Sequence, residues 1–316
     1  MSGRHPGAVI DELLARCPFP PPGTSVDCAF SGGADSTALV VLAAAARCRV
    51  TAVHVDHGLR PSSADEAEQA RHLAGVIGVG FRLERLVVAA GPNLEARARA
   101  ARSAVLPSGV LTGHTADDRA ETMLINLLRG TGLDGLAAMG PDPARPLLAL
   151  RRSDTAGLCA VLGLPTVDDP TNAEPRFVRN RVRHELLPLM ASIAGRDVIP
   201  LLVRTADVVA DDLALADAHT GDVDPTDAKA LAAAPPALAR RVLRRWLLAD
   251  GYPPDAATVA RVLAVARGEH RACELTGGRR VERHRQRLRI LSSGPLQSQD
   301  GMTIATPGSP EGPGGK

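Results

Sequence analysis

The spacing of apolar and polar positions switches repeatedly between short β-rich runs and longer helical stretches. Ser25–Phe30 is a brief apolar run that predicts a strand, and Asp35–Arg47, apolar and Ala-rich, predicts a helix. Arg49–Asp56 carries β-branched residues at Val50, Thr51, Val53 and Val55 and predicts a second strand. Ser63 with Glu66 three residues on is a capping box, opening a helix to about Ile77. Phe81–Val88 then predicts a strand, Asn93–Leu106 a helix with Arg on one side, Val110–Thr112 a strand and Ala116–Leu128 a helix. A helical stretch at Val9–Arg16 and a Pro-rich joint, Pro18–Gly23, precede this series.

Strand–helix alternation at this spacing predicts an α/β fold with a parallel, doubly wound sheet. Such sheets bind ligands beyond the C-terminal ends of their strands, which directs attention to the residues after Phe30, Asp56 and Thr112. Beyond Gly140 the pattern turns helical: Thr155–Leu162, Arg181–Met190 and a long Asp-bearing stretch ending near Ala218. Thr220–Asp227, acidic and Pro-containing, reads as a linker. Pro236–Ala249 and Asp255–Arg267 predict helices, with Trp246 in the core among Leu243, Leu247 and Leu248, and Cys273–Leu291 predicts a hairpin turning at Gly277-Gly278. The expected organisation is a catalytic domain over 1–220, helical from about 150, a smaller and mostly helical C-terminal domain over 228–292, and a disordered Gly/Pro/Ser-rich tail over 293–316.

Charge sharpens that division. The net charge of +2 conceals a sorting: residues 1–204 carry 22 bases and 21 acids, 205–227 seven Asp and no base, and 228–292 14 bases against five acids. A length of 316 residues accommodates two domains, and the later one is strongly basic, as an RNA-facing domain would be. With only four Phe, one Tyr and one Trp, a base-stacking aromatic platform is excluded.

All but two of the bases are Arg. Lys229 and Lys316 are the exceptions, so no G-x-x-x-x-G-K-[ST] loop exists and Walker-type ATPases are ruled out. The five cysteines, at 17, 28, 48, 159 and 273, include no C-x-x-C and suggest reduced core thiols. The longest apolar run, Ala38–Ala46, is far below the roughly 20 residues of a membrane span, and no apolar signal core follows the N-terminus. A soluble, cytoplasmic protein with no membrane partner is expected.

The strongest local signal is Ser31-Gly32-Gly33-Ala34-Asp35-Ser36, directly after a strand and opening a helix. Two glycines admit close backbone approach, two serines offer hydroxyls, and the helix start supplies free N–H groups with partial positive charge. This composition suits a pyrophosphate cradle made without lysine. Asp35 would repel bare phosphate, which calls for magnesium between them. A second constellation follows Thr112: His114, Asp118 and Glu121, spaced by four and three, share one helix face. Carboxylates there can pair with a substrate ammonium and accept protons from an attacking amine. The plainer alternative is acids placed at a helix start to meet its dipole, which is the reading preferred for Asp117.

Ser-Gly-Gly-x-Asp-Ser resembles the PP-loop of the N-type ATP pyrophosphatases, which cleave ATP between its α and β phosphates. More specific strings follow: His54-Val-Asp-His57-Gly-Leu-Arg60, Gly113-His114 through Glu121-Thr122, Arg129-Gly-Thr-Gly132-Leu-Asp-Gly135, Asp169-Pro-Thr-Asn172, and Phe177-Val-Arg179-Asn180-Arg181-Val-Arg183 running to Pro188. Together, over roughly residues 25–190, they are similar to the tRNA(Ile)-lysidine synthetases. That resemblance implies ATP as substrate and magnesium as cofactor, with free L-lysine and an isoleucine tRNA bearing a CAU anticodon as partners. The implied reaction adenylates the position-2 oxygen of the wobble cytidine, after which the lysine ε-amine displaces AMP.

Residue by residue, the resemblance puts Ser31, Gly32, Gly33, Ala34, Asp35 and Ser36 on the phosphates, with Asp35 also catalytic and holding the metal. His54, Val55 and Asp56 would flank the adenosine; a buried strand end with satisfied side chains is the alternative. Arg99, in the segment containing Asn93, Glu95 and Arg102, would contact a phosphate, while Ser103 replaces the Tyr common in the family. His114, Asp118 and Glu121 would bind lysine and serve catalysis. Arg176, Arg179 and Arg183, with Arg181 between them and no acid expected nearby, would meet tRNA or active-site phosphates, unless they are a solvated helix face. Several such contacts predict tRNA binding that falls steeply with salt.

Competing classes fit less well. A PP-loop thiolase commonly uses paired cysteines, a GMP- or NAD-type synthetase would leave the basic domain unused, and a non-enzymatic RNA-binding module needs no PP-loop. Oligomeric state is open, a homodimer included.

Overall fold

Three parallel strands, β1 (Ser25–Ala29), β2 (Arg49–Asp56) and β3 (Gly80–Arg85), lie side by side in that order. They belong to a computed structural model that describes residues 5–56, 63–85, 106–137, 139–167, 174–248 and 254–292. Cys28 stands opposite Ala52, and His54 opposite Leu83. On its free edge β1 meets Leu111 through a single parallel bridge at Cys28. Ala29 N–H donates to the Leu111 carbonyl and Leu111 N–H to the Asp27 carbonyl, both at 2.8 Å.

The expected strand Val110–Thr112 thus shrinks to one bridging residue, because Thr112 N–H turns away to the carbonyl of Ala144 at 2.8 Å. The order nevertheless reverses here, with β2 and β3 on one side of β1 and Leu111 on the other. The crevice at such a reversal is where doubly wound sheets hold ligands.

Helices α1 (Pro6–Leu14), α2 (Ala34–Ala45) and α3 (Ser63–Ile77) flank the sheet. α2 is apolar nearly all round, and every residue from Ser36 to Ala43 is buried, as a core helix requires. α4 (Ala116–Leu128) begins just beyond Leu111, and α5 (Arg152–Val161) packs on α2. Leu147, Leu150 and Leu158 are fully buried with Leu39 and Leu42. Each such leucine contributes about 1.5–3 kcal/mol, which anchors the start of α5 against the sheet core. The sequence spacing predicted this helix from Thr155, three residues late.

Where one helix over Arg181–Met190 was expected, there are α6 (Val178–Arg181), a π-helical turn Val182–Leu186 and α7 (Leu187–Ala194). Leu187 N–H reaches five residues back to Val182, and Pro188 has no N–H to continue an ordinary ladder. Val182 and Leu187 pack with Ala116, Ala120 and Leu124 of α4, together with Val198 and Ile199. Ile199 opens α8 (Ile199–Ala218).

The chain divides into two compact units, 1–213 and 214–316. The second contains α9 (Ala228–Ala233), α10 (Pro236–Trp246), α11 (Ala256–Arg267) and an antiparallel sheet β4 (Ala272–Glu274), β5 (Arg279–His284), β6 (Arg287–Ser292). Leu231, Leu243, Val262, Val281 and Leu288 form its core, with Trp246 half-buried against them.

Two expectations are corrected in this unit. The single hairpin is a three-stranded meander, whose second turn is Arg285-Gln286, both residues at positive φ (46° and 64°). That geometry matches strand twist, but Arg-Gln lacks the Asn-Gly signature that announces it. Thr220–Asp227 is also no free linker. Asp227 caps α9 and pairs with Arg287 as an isolated bridge, the Thr226 carbonyl accepts from Leu288 N–H at 2.7 Å, and Asp224 ion-pairs with Arg287.

All five cysteines are free thiols, and burial pushes Cys28 up to about 12. Among the described residues no single helix is long and apolar enough to cross a membrane. Arg99 with the whole of 93–106 except Leu106, the stretches 57–60 and 169–172, and the tail 293–316 lie outside the described residues.

Candidate active site

The turn from β1 into α2 is held by its own hydroxyls. Ser36 Oγ accepts from Ser31 N–H at 3.2 Å and donates to the Gly33 carbonyl at 3.0 Å, while the two serine hydroxyls lie 3.2 Å apart. Gly32 takes φ +82°, a left-handed conformation that disfavours any side chain, and its carbonyl accepts from Val167 N–H at 3.0 Å. Gly33 N–H donates to Ser31 Oγ at 3.4 Å, and α2 opens at Ala34 behind a glycine that offers no side-chain cap. Such a helix start favours anions.

Gly113 passes over this first turn. A Cβ at 113 would stand 2.7 Å from the Asp35 carbonyl oxygen and 3.2 Å from Ser36 N, so only glycine fits. The close approach brings His114 and α4 to the mouth of the PP-loop. His114 Nδ1 shares a 2.9 Å hydrogen bond with Thr112 Oγ1. At the end of β2, His54 is buried, donates from Nδ1 to the Phe30 carbonyl at 2.9 Å, and stacks on Phe81 with ring centroids 6.4 Å apart. Val55 and Asp56 beside it are half-buried.

Asp35 accepts from the Thr155 hydroxyl and lies 3.6 Å from Arg152 Nε. Burial pushes its carboxyl up, against the lowering effects of Thr155 and Arg152. Asp118 accepts from the amide and hydroxyl of Thr115 at 2.9 and 3.0 Å, and its other oxygen takes Arg152 Nη2 at 3.1 Å. Asp117 faces away. Burial raises its carboxyl, but Arg151 Nε and Arg152 N–H, both at 2.9 Å, bring it below the ordinary value, which suits a structural role.

Glu121 has no exposed side-chain surface. Its Oε1 takes Arg152 Nη1 at 3.0 Å and Arg183 Nε at 2.7 Å, and its Oε2 meets Arg179 Nε and Arg183 Nη2, both at 3.1 Å. Three guanidiniums therefore enclose the carboxylate. The expectation that the 176–183 arginines have no acids nearby is corrected. Tertiary contact puts Arg179 and Arg183 on Glu121, while Arg181 pairs with Glu185 at 2.9 Å and Arg176 with Glu174. Arg176 alone of the three proposed RNA contacts is well exposed, its guanidinium 4.7 Å over the Phe177 ring. The π turn sets Arg183 beside Arg179 on one carboxylate, which regular helical spacing does not predict.

Sequence reasoning missed Arg152 and Thr155. Both stand at the start of α5, in no glycine-rich or acidic string, and only packing delivers them to Asp35.

A PP-loop domain model matches residues 10–190, and a TilS substrate binding domain model matches residues 227–289. The chain belongs to the tRNA(Ile)-lysidine synthase family. The tRNA(Ile)-lysidine synthase of Nocardia farcinica is 43% identical over 267 residues, covering 78% of this chain and 82% of that protein. The Mycolicibacterium paratuberculosis protein of the same name is 44% identical over 238 residues, covering 71% and 74%. Among solved structures, the U34-tRNA thiolase NcsA of Methanococcus maripaludis, with its [4Fe-4S] cluster, superposes at TM-score 0.53 and 16% identity, covering 65% of this chain and 78% of that one. That likeness is one of fold. The family's PP-loop domain makes this an ATP-binding chain.

Proposed function

We propose that this protein is an ATP-dependent carbon–nitrogen ligase that joins free L-lysine to carbon 2 of the wobble cytidine of tRNA(Ile) with a CAU anticodon. The observation that carries the reading is the crossing of Gly113 over the PP-loop helix start, which sets His114 and Asp118 beside Asp35. The family's PP-loop and substrate-binding models support it, falling in order along one chain.

Two displacements make up the reaction. The cytosine position-2 oxygen attacks the α-phosphorus of ATP and pyrophosphate leaves. The neutral ε-amine of lysine then attacks carbon 2, the carbon–oxygen bond breaks, and AMP leaves. In the first step Ser31, Gly32, Gly33, Ala34 and Ser36 offer hydroxyls and the α2 N-terminus to the departing pyrophosphate. His54, Val55 and Asp56, at the neighbouring strand end, border the nucleoside, and Arg99 would meet a phosphate.

Magnesium fits this donor set. Among the described residues no three His, Cys, Asp or Glu cluster to hold a metal, so Asp35 would be its protein ligand. Magnesium is commonly held by one or two carboxylates with phosphate and water completing the shell. The ion would offset charge on the pyrophosphate, and the half-buried Asp35 carboxylate, already partnered by a hydroxyl, is suited to that contact.

In the second step lysine must reach the adenylated base as a free amine. Asp118 and His114 would orient the ammonium and take its proton. Glu121, the third polar group on this helix face, would join them in binding lysine, its carboxylate charge shared with Arg152, Arg179 and Arg183. Arg176, exposed beside Glu174, would meet tRNA phosphate together with Arg179 and Arg183, and we assign the arginines of the basic second unit to tRNA docking. A cytoplasmic location accords with five cysteines in the thiol form.

The deciding assay combines purified protein, ATP, magnesium, labelled lysine and CAU-anticodon tRNA(Ile). Incorporation of label into tRNA with release of AMP supports the reading. No incorporation of lysine, with activity toward ammonia or a sulfur donor instead, overturns it.

A further inference from the structure

Arg152 stands where two half-sites meet. Its Nε lies 3.6 Å from Asp35, its Nη2 3.1 Å from Asp118 and its Nη1 3.0 Å from Glu121, so each guanidinium nitrogen faces a different carboxylate. Its backbone N–H is spent on Asp117 at 2.9 Å, which fixes the residue at the first turn of α5. The side chain is about three-quarters buried (26% exposed). From this geometry we infer that Arg152 is a positioning residue coupling the ATP half-site, at Asp35, to the amine half-site, at Asp118. The inference rests on the ligase reading above.

Two neighbours separate this role from ordinary ion pairing. Arg151 already ties α5 to α4 and to the turn before α8 by holding Asp117 and Asp197, and Glu121 already has Arg179 and Arg183. What Arg152 adds is the span between Asp35 and Asp118, two like charges that repel unless a cation stands between them. A planar guanidinium has donors fixed in a fork and can face three carboxylates at once. A lysine ammonium is a point charge on a flexible stem and cannot hold that geometry. A change in how Asp35 meets the nucleotide therefore passes through one rigid group to the carboxylate that meets lysine.

The coupling is reciprocal and can be read on the unmodified protein. By calorimetry, lysine should change the Kd for Mg·ATP, and Mg·ATP the Kd for lysine, by the same factor, about fivefold or more. Arg152→Lys should abolish that mutual effect and raise the KM for both ligands about tenfold (~1.4 kcal/mol). Arg151→Lys, in the same turn, should lower Tm and leave both KM values within about twofold, as a structural contact would. Independent binding of the two ligands to the wild-type protein overturns the coupling, as does an Arg152→Lys variant that raises one KM alone or lowers only Tm. Failure of the wild type to incorporate lysine would overturn the ligase reading instead. In that event unchanged Mg·ATP affinity in Arg152→Lys still rejects the role given to Arg152, and weakened affinity upholds its part at Asp35.

Discussion

Gly113 and Asp35, 78 positions apart in sequence, touch backbone to backbone: a Cβ on Gly113 would lie 2.7 Å from the Asp35 carbonyl oxygen. Nothing on the helix side can give way, because the obstructing atoms are main chain at the first turn of a buried helix. Gly113→Ala should therefore push the segment after Leu111 off the PP-loop. We expect a stability loss of about 1–3 kcal/mol, as for other overpacked sites. Mg·ATP affinity should fall at least about tenfold, a change of ~1.4 kcal/mol. Urea denaturation and ATP titration check the two effects separately.

Asp35 separates function from stability. Its folded carboxyl is raised by burial, so the fold favours the neutral form and the ionised form works against stability at pH above the folded value. Asp35→Asn should consequently leave Tm unchanged or raise it while abolishing adenylation of tRNA. Wild-type Mg·ATP binding should weaken on acidification at a higher pH than an ordinary aspartate would give. A variant that loses Tm and retains adenylation would contradict both assignments.

Glu121→Gln keeps the shape and removes the charge that three guanidiniums surround. Breaking a buried ion pair by removing one partner costs about 3–5 kcal/mol. Because Arg152, Arg179 and Arg183 are themselves 22–32% exposed, a value near the lower end is expected, about 3 kcal/mol. Single-turnover assays should show lysine transfer falling further than adenylation. Equal loss of both steps would restrict Glu121 to holding the fold.

In the second unit Asp217 accepts from Arg241 and lies 3.2 Å from Arg245, and these partners hold its carboxyl below the usual 3.8. A depressed folded value means that the ionised form stabilises. That contribution is complete above the unfolded value and is lost as pH falls through the folded one. Tm curves for the wild type and Asp217→Asn should stand apart at neutral pH and converge as the pH falls through the folded value. Curves that stay parallel across that range would show that the pair contributes nothing at either end of it.

The local pattern was sufficient for much of this. Ala116–Leu128 appears with the bounds its periodicity predicts, as does Arg49–Asp56, since amphipathic and β-branched spacing is a property of neighbours in sequence. Ser31–Ser36 was legible for the same reason: a turn that needs Gly32 at φ +82° and a helix opening at Ala34 writes itself in adjacent residues.

What lay beyond the local pattern was decided by packing. Arg152 belongs to no motif string, and its three carboxylate partners come from α2 and α4, brought within 3.6 Å by the leucines that anchor α5. Glu121 was legible as a candidate because three acids and a histidine crowd one stretch of chain. Its pairing with Arg179 and Arg183, some sixty positions away, was not legible. Spacing along a chain dictates which side chains share a face. Which charges that face will meet depends on contacts between distant segments, and a buried carboxylate takes whatever cations the tertiary fold brings to it.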